Sequence, residues 1–115
     1  MNFDRNVLDE LTQRAKESPR LRMNLDLRNS PEDGSQRMLN ALEPGTVLPI
    51  HRHRTTSEVV VMLRGMAVQY LYDEQGCETD AVLLAAGALD GEGVPSAVPG
   101  MTIAKGQWHR IKCLE

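Results

Sequence analysis

Apolar residues near the N-terminus recur at helical spacing. Phe3, Val7, Leu8, Leu11 and Ala15 fall on one face, and Arg5, Glu10, Gln13 and Lys16 lie elsewhere. The pattern predicts a helix that stops at Ser18-Pro19, because the residue before a proline avoids the helical region. From Arg20 the period changes to two. Leu21, Met23, Leu25 and Leu27 alternate with Arg20, Arg22, Asn24, Asp26 and Arg28, which reads as a half-buried strand over Arg20–Arg28. Asn29–Ser35 carries Ser-Pro and Asp-Gly and reads as a turn. Beyond it, short apolar runs predict strands at Gln36–Leu42, Thr46–His53, Glu58–Arg64, Met66–Tyr72, Thr79–Ala85, Met101–Ala104 and Trp108–Leu114. Glu74-Gln75-Gly76 reads as a hairpin turn, and the Gly- and Pro-rich stretch from Gly87 to Gly100 as a loop. Short strands at near-regular spacing predict an all-β barrel or sandwich, with the N-terminal helix as an attachment.

Composition narrows this picture. A chain of 115 residues is long enough for one domain with its own core. Only 3% of residues are aromatic, so aliphatic side chains and the six methionines must fill that core. A formal net charge of −3 argues against general nucleic-acid binding, which rests on a basic footprint. No apolar run approaches the length that spans a bilayer, and Met1–Glu10 lacks a signal-peptide core, so a cytoplasmic location away from membranes is expected. Cys77, on a hairpin, and Cys113, on the last strand, have no paired-ligand spacing and read as reduced thiols.

The candidate chemistry lies in the histidines. The chain has three: His51, His53 and His109. Residues two apart on a strand point to one face, so His51 and His53 project together. Glu58 follows at the start of the next predicted strand, across the Arg54–Ser57 turn, and His109 opens the last one. Imidazoles and a carboxylate together bind first-row divalent ions, and four such ligands on an octahedral ion leave positions for water or substrate. A lone histidine is more often an ordinary core or surface residue. Three that fit one spatial plan, with none left over, favour a site for one divalent ion: zinc, iron, manganese or nickel. With every histidine so assigned, no base remains to activate a serine or cysteine nucleophile, and no catalytic residue is assigned.

The spacing Gly45-x5-His51-x-His53-x4-Glu58-x6-Gly65 matches the first cupin motif at every defined position. Ala104-Lys105-Gly106-Gln107-Trp108-His109 resembles the second, with Ala104 where proline is usual; Cys113 stands where an asparagine is often found. The resemblance implies a single cupin barrel, a double-stranded β-helix or jelly roll, over residues 20–115, preceded by a helical extension over residues 1–19. It implies His51, His53, Glu58 and His109 as the ligand set. Further segments are similar to the WbuC family of small cupin-fold metalloproteins: Arg20-Leu21-Arg22-x-Asn24, Gln36-Arg37-x-Leu39-Asn40-Ala41-Leu42-Glu43-Pro44-Gly45-Thr46, Leu63-Arg64-Gly65 and Gln107-Trp108-His109. That likeness implies a bacterial source and a surface-polysaccharide context. Cupin chains often continue past the second motif, so Arg20–Arg28 is expected to supply a missing edge, in its own sheet or in a partner's, and a homodimer is expected to cover open edges in this way.

On this reading the protein is a metal-dependent enzyme, an isomerase, epimerase or lyase, acting on a small oxygen-rich, sugar-like and anionic molecule. Arg20, Arg22, Arg37, Asn40, Tyr70 and Gln107 are candidate substrate-binding residues, since arginine's planar fork suits carboxylate or phosphate. The arginines can equally form a charged strand face with Asp26, Glu32 or Asp33. The alternatives are an Fe(II) dioxygenase, a ligand-binding or sensing module without turnover, and a purely structural zinc site. Metal removal separates the last from the rest, since a structural site loses its fold with its ion.

Overall fold

The computed structural model describes residues 1–88 and 96–115, and the chain divides by its internal contacts into two units, Met1–Thr46 and Val47–Glu115. The N-terminal unit holds one helix, α1 (Arg5–Glu17), and two antiparallel strands, β1 (Arg22–Asp26) and β2 (Met38–Leu42). Asp4 caps α1, its side chain accepting from the Val7 amide at 3.1 Å. Leu11 and Ala15 are the buried helix residues, and α1 packs against β1 and β2. Phe3 lies ahead of the helix and is exposed, so the apolar stripe begins one turn later than its spacing predicts. The pairings Met23↔Ala41 and Leu25↔Leu39 put the less exposed residues on one face, while Asn24↔Asn40 lie on the other. Removing the cap tests this unit. Asp4→Ala is expected to cost about 1 kcal/mol in urea denaturation, and Asp4→Ser much less.

The C-terminal unit is built of strands. The predicted strand over Thr46–His53 does not form. Only His51 pairs there, in a single bridge with His109 in which each backbone N–H donates to the other's carbonyl, at 3.0 and 2.8 Å. Pro49 has no N–H to give a ladder, which keeps the segment from extending the pairing. β3 (Glu58–Val61) pairs with β6 (Gly100–Ile103), and β4 (Met66–Tyr72) lies between β5 (Glu78–Ala85) and β7 (Trp108–Cys113). The hairpin at Asp73–Cys77 forms as its sequence predicts, with Asp73 Oδ1 accepting from the Gln75 and Cys77 amides. The loop expected over Gly87–Gly100 falls mostly on residues 89–95, which lie outside the described residues.

The molecule is thus mainly β, with one helix, and among the described residues its strands make three small sheets and no closed barrel. Two motif glycines are required by the backbone. Gly106 turns the chain into β7 at φ +85°, and Gly65 at φ +74° has the Glu115 backbone where a Cβ would stand. Cys77 is an exposed free thiol, and Cys113 is buried, its Sγ donating to the Glu115 carbonyl at 3.7 Å. Among the described residues, no helix is long and apolar enough to cross a membrane.

Candidate metal centre

The site lies within the C-terminal unit, where a residue of the β3–β6 sheet meets a residue of the β5–β4–β7 sheet. Glu58 is the first residue of β3 and His109 the second of β7. The mutual backbone bonds between His51 and His109 fix the first pair of imidazoles, whose ring centroids stand 4.2 Å apart. The Gly106 amide donates to the His53 carbonyl at 2.8 Å and tethers the third ring's segment to the turn before β7. His53 lies 5.2 Å from the His51 ring and 5.6 Å from the His109 ring. One ligand atom from each of the three imidazoles lies within 4.8 Å of the others, the spacing of a group that could hold a metal ion. Glu58 completes the cluster: Oε2 is 3.5 Å from His53 Nε2, and Oε1 is 3.4 Å from His109 Nε2. The structure therefore brings all four ligand candidates together, although His51 and His53 lie outside any named strand.

Backbone carbonyls orient two of the rings. His51 Nδ1 lies 3.1 Å from the Pro49 carbonyl and His109 Nδ1 2.8 Å from the Gln107 carbonyl. A carbonyl only accepts, so each Nδ1 carries the proton and each Nε2 presents its lone pair, the tautomer that ligates through Nε2. His109 Nε2 is buried and has no hydrogen-bond partner. In the neutral ring it has no proton to offer Glu58, which explains a contact of 3.4 Å without a hydrogen bond. A second proton on the ring would turn this contact into a hydrogen-bonded ion pair. That interaction is the main reason the His109 pKa is raised from its ordinary 6.5, burial opposing it, and the Glu58 pKa is lowered from its ordinary 4.5. A divalent ion satisfies the same lone pair and carboxylate without the proton, so the donor set fits such an ion. Burial is graded around the cluster, with His109 3% exposed and His53 open to solvent, which leaves an approach from the His53 side.

The other candidates are dispersed. Arg20, Arg22, Arg37 and Asn40 belong to the N-terminal unit. Arg37 pairs with Asp33 at 3.1 Å, Arg28 with Asp26 at 2.7 Å, and Arg22 approaches the Thr46 hydroxyl. Tyr70 faces the side of its sheet opposite His109, where the Arg110 guanidinium lies 5.4 Å from its ring. Gln107 supports the site through its backbone carbonyl, while its side-chain amide donates to the Tyr72 and Trp108 carbonyls.

Two further features do not stand out among the sequence candidates. Arg52, between the two histidines, lies 4.6 Å over the Trp108 ring, and both reach Glu74, by an ion pair and an indole hydrogen bond. Their positions beside the histidines are visible in sequence, but Glu74 across the hairpin is not. Gln69 is the second feature, a polar residue at an inward position of β4 and 1% exposed. Its signal is the alternation Ala67, Gln69, Leu71, in which a polar residue occupies an apolar face.

A family model described as a domain of unknown function, DUF6016, matches residues 3–84, which takes in His51, His53 and Glu58 and stops before His109. No curated protein and no solved structure matches the chain.

Proposed function

We propose that this chain, which belongs to the DUF6016 family of domains of unknown function, is a metal-binding protein of cupin type that holds one divalent ion with His51, His53, Glu58 and His109. The observation that carries the reading is the buried, unpartnered Nε2 of His109, set beside two further imidazoles and a carboxylate. Cupin-motif spacing around the same four residues supports it. A bound divalent ion would supply Lewis acidity, polarising a carbonyl or hydroxyl oxygen of a small oxygen-rich molecule. The chain's own residues provide the rest. Gln107 and Pro49 orient ligand rings, Arg52 stacked on Trp108 steadies the segment between His51 and His53, and the open side at His53 admits a substrate.

Metal-dependent isomerase, epimerase or lyase chemistry on a sugar-like anion is the activity that this site suits best; with iron, dioxygen chemistry is the second branch. Glu58 serves as a ligand and is thereby less free to act as a general base. Titration of the chelator-treated protein with Co(II), followed by its visible absorption, tests the reading. Wild type is expected to bind one equivalent and to keep its β-sheet circular dichroism after chelation, as an exchangeable centre should. Glu58→Ala is expected to bind more than about tenfold more weakly. Unfolding on chelation would instead mark a structural site, and absence of any cobalt spectrum would refute the assignment.

A further inference from the structure

We infer that Gln69 is a ligand-contacting residue of this centre, its side-chain amide donating a hydrogen bond to an oxygen of a carboxylate bound beside the ion. The inference rests on the metal reading above and names the class of molecule that the centre receives.

β4 is the central strand of its sheet, and its pairing places Leu71 opposite His109 and Gln69 opposite Ile111. Directly opposed residues of antiparallel strands share a face, as do residues two apart along a strand. Gln69 therefore stands on the same face as His109, one diagonal step away, a separation that long side chains span. On its other side β4 pairs with β5, where Val82 is opposite Gln69. Its flanking partners on both strands are thus apolar. Gln69 is 1% exposed, and its Nε2 is buried with no hydrogen-bond partner.

Such an amide is a poor choice for a core. A buried donor left unsatisfied costs its full desolvation penalty, and an apolar residue of like shape would be neutral or better. The neighbours on this face, Ala67 and Leu71, are apolar. Among the described residues, four buried side-chain nitrogens lack a hydrogen-bond partner: those of Arg52, Gln69, His109 and Arg110. The two guanidinium groups lie over the rings of Trp108 and Tyr70. The other two, His109 Nε2 and Gln69 Nε2, share the inner face of one sheet. The first offers a lone pair and calls for a cation; the second offers N–H and calls for an acceptor.

Charge then selects the acceptor. A divalent ion held by three neutral imidazoles and one carboxylate keeps one net positive charge, which an additional carboxylate on the open position neutralises. A carboxylate has two oxygens, so one can meet the ion while the other accepts from Gln69.

The test uses the full chain loaded with Co(II), with glycolate as the carboxylate probe and imidazole as a neutral ligand that has no oxygen for Gln69. Wild type and Gln69→Met are titrated with each, following the cobalt spectrum. Glycolate is expected to bind about tenfold or more weaker to Gln69→Met, with imidazole binding and cobalt stoichiometry unchanged. The apo variant is expected to melt no lower than wild type, since it removes an unsatisfied donor. Gln69→Leu provides a second variant with the same expectations.

Equal glycolate affinity in wild type and variant, or equal losses for both probes, would overturn the inference. A cobalt-loaded wild type that ignores glycolate would overturn the carboxylate assignment and leave the metal reading standing. Absence of cobalt uptake by wild type would bring down both. Failure of both variants to fold, or a lower melting temperature in both, would show that Gln69 serves the core.

Discussion

Alanine in place of His109 is expected to lower metal affinity by more than about 100-fold, beyond the loss typical of a residue that only supports a ligand. His109 is the most buried member of the cluster and the only one of its three histidines within a strand, paired with Leu71 of β4. Its backbone bonds His51 in both senses, and its Nδ1 is held by the Gln107 carbonyl. Its Nε2 has nothing else to do, lacking any hydrogen-bond partner. Without it, two more exposed imidazoles and Glu58 remain, a set with less preorganisation. Arg52→Ala is the matched control. That guanidinium lies over Trp108 and pairs with Glu74, so its loss is expected to reduce stability modestly and to leave one ion per chain. Competition titration against a chromophoric chelator measures both. Wild-type affinity in His109→Ala would remove His109 from the ligand set.

The second expected result is a reversal of pH dependence between the metal-free and metal-loaded protein. In the metal-free protein, Glu58 has a lowered pKa, so its contribution to stability is present above its ordinary 4.5 and lost as pH falls through the lower folded-state value. His109 has a raised pKa, so its contribution is present below its ordinary 6.5 and lost as pH rises through the higher folded-state value. The pair therefore stabilises the metal-free protein fully between pH 4.5 and 6.5, and less on either side. Metal binding requires the proton on His109 Nε2 to leave. The ion's contribution consequently grows with pH, by up to about tenfold in affinity per pH unit for each proton displaced. At a free-metal concentration about 100 times Kd the gain is about 2.7 kcal/mol, on the order of 10 °C in melting temperature for a domain of this size. Thermal melts at about pH 5.5 and about pH 8, with and without Zn(II), should show the increment rising with pH. An increment independent of pH would contradict a histidine-based centre.

Much of this was legible in the chain itself. Alternation around Leu25 and Leu39 gives β1 and β2, and the β4 and β7 runs form close to their predicted bounds. The helix ends near Ser18-Pro19 because local backbone chemistry decides that boundary. The four candidate ligands are visible through their motif spacing, yet the route by which His51 and His53 converge is not. A strand was expected there, whereas one bridge to His109 and one hydrogen bond from Gly106 hold the segment. Such long-range pairing leaves little trace in local pattern when a proline interrupts the run. Gln69 was missed for the same reason. Periodicity marks it as inward-facing, but only the register with β5 and β7 shows that its strand partners are Val82 and Ile111, whose side chains offer its amide no acceptor.

The most direct measurement is an anomalous difference map from a crystal of the Zn(II)-loaded protein, collected on both sides of the zinc edge. One peak per chain is expected, at coordination distance, about 2.0–2.2 Å, from a ring nitrogen of His51, His53 and His109 and from a carboxylate oxygen of Glu58. No peak there, or a peak held by other residues such as Cys77, would contradict the account.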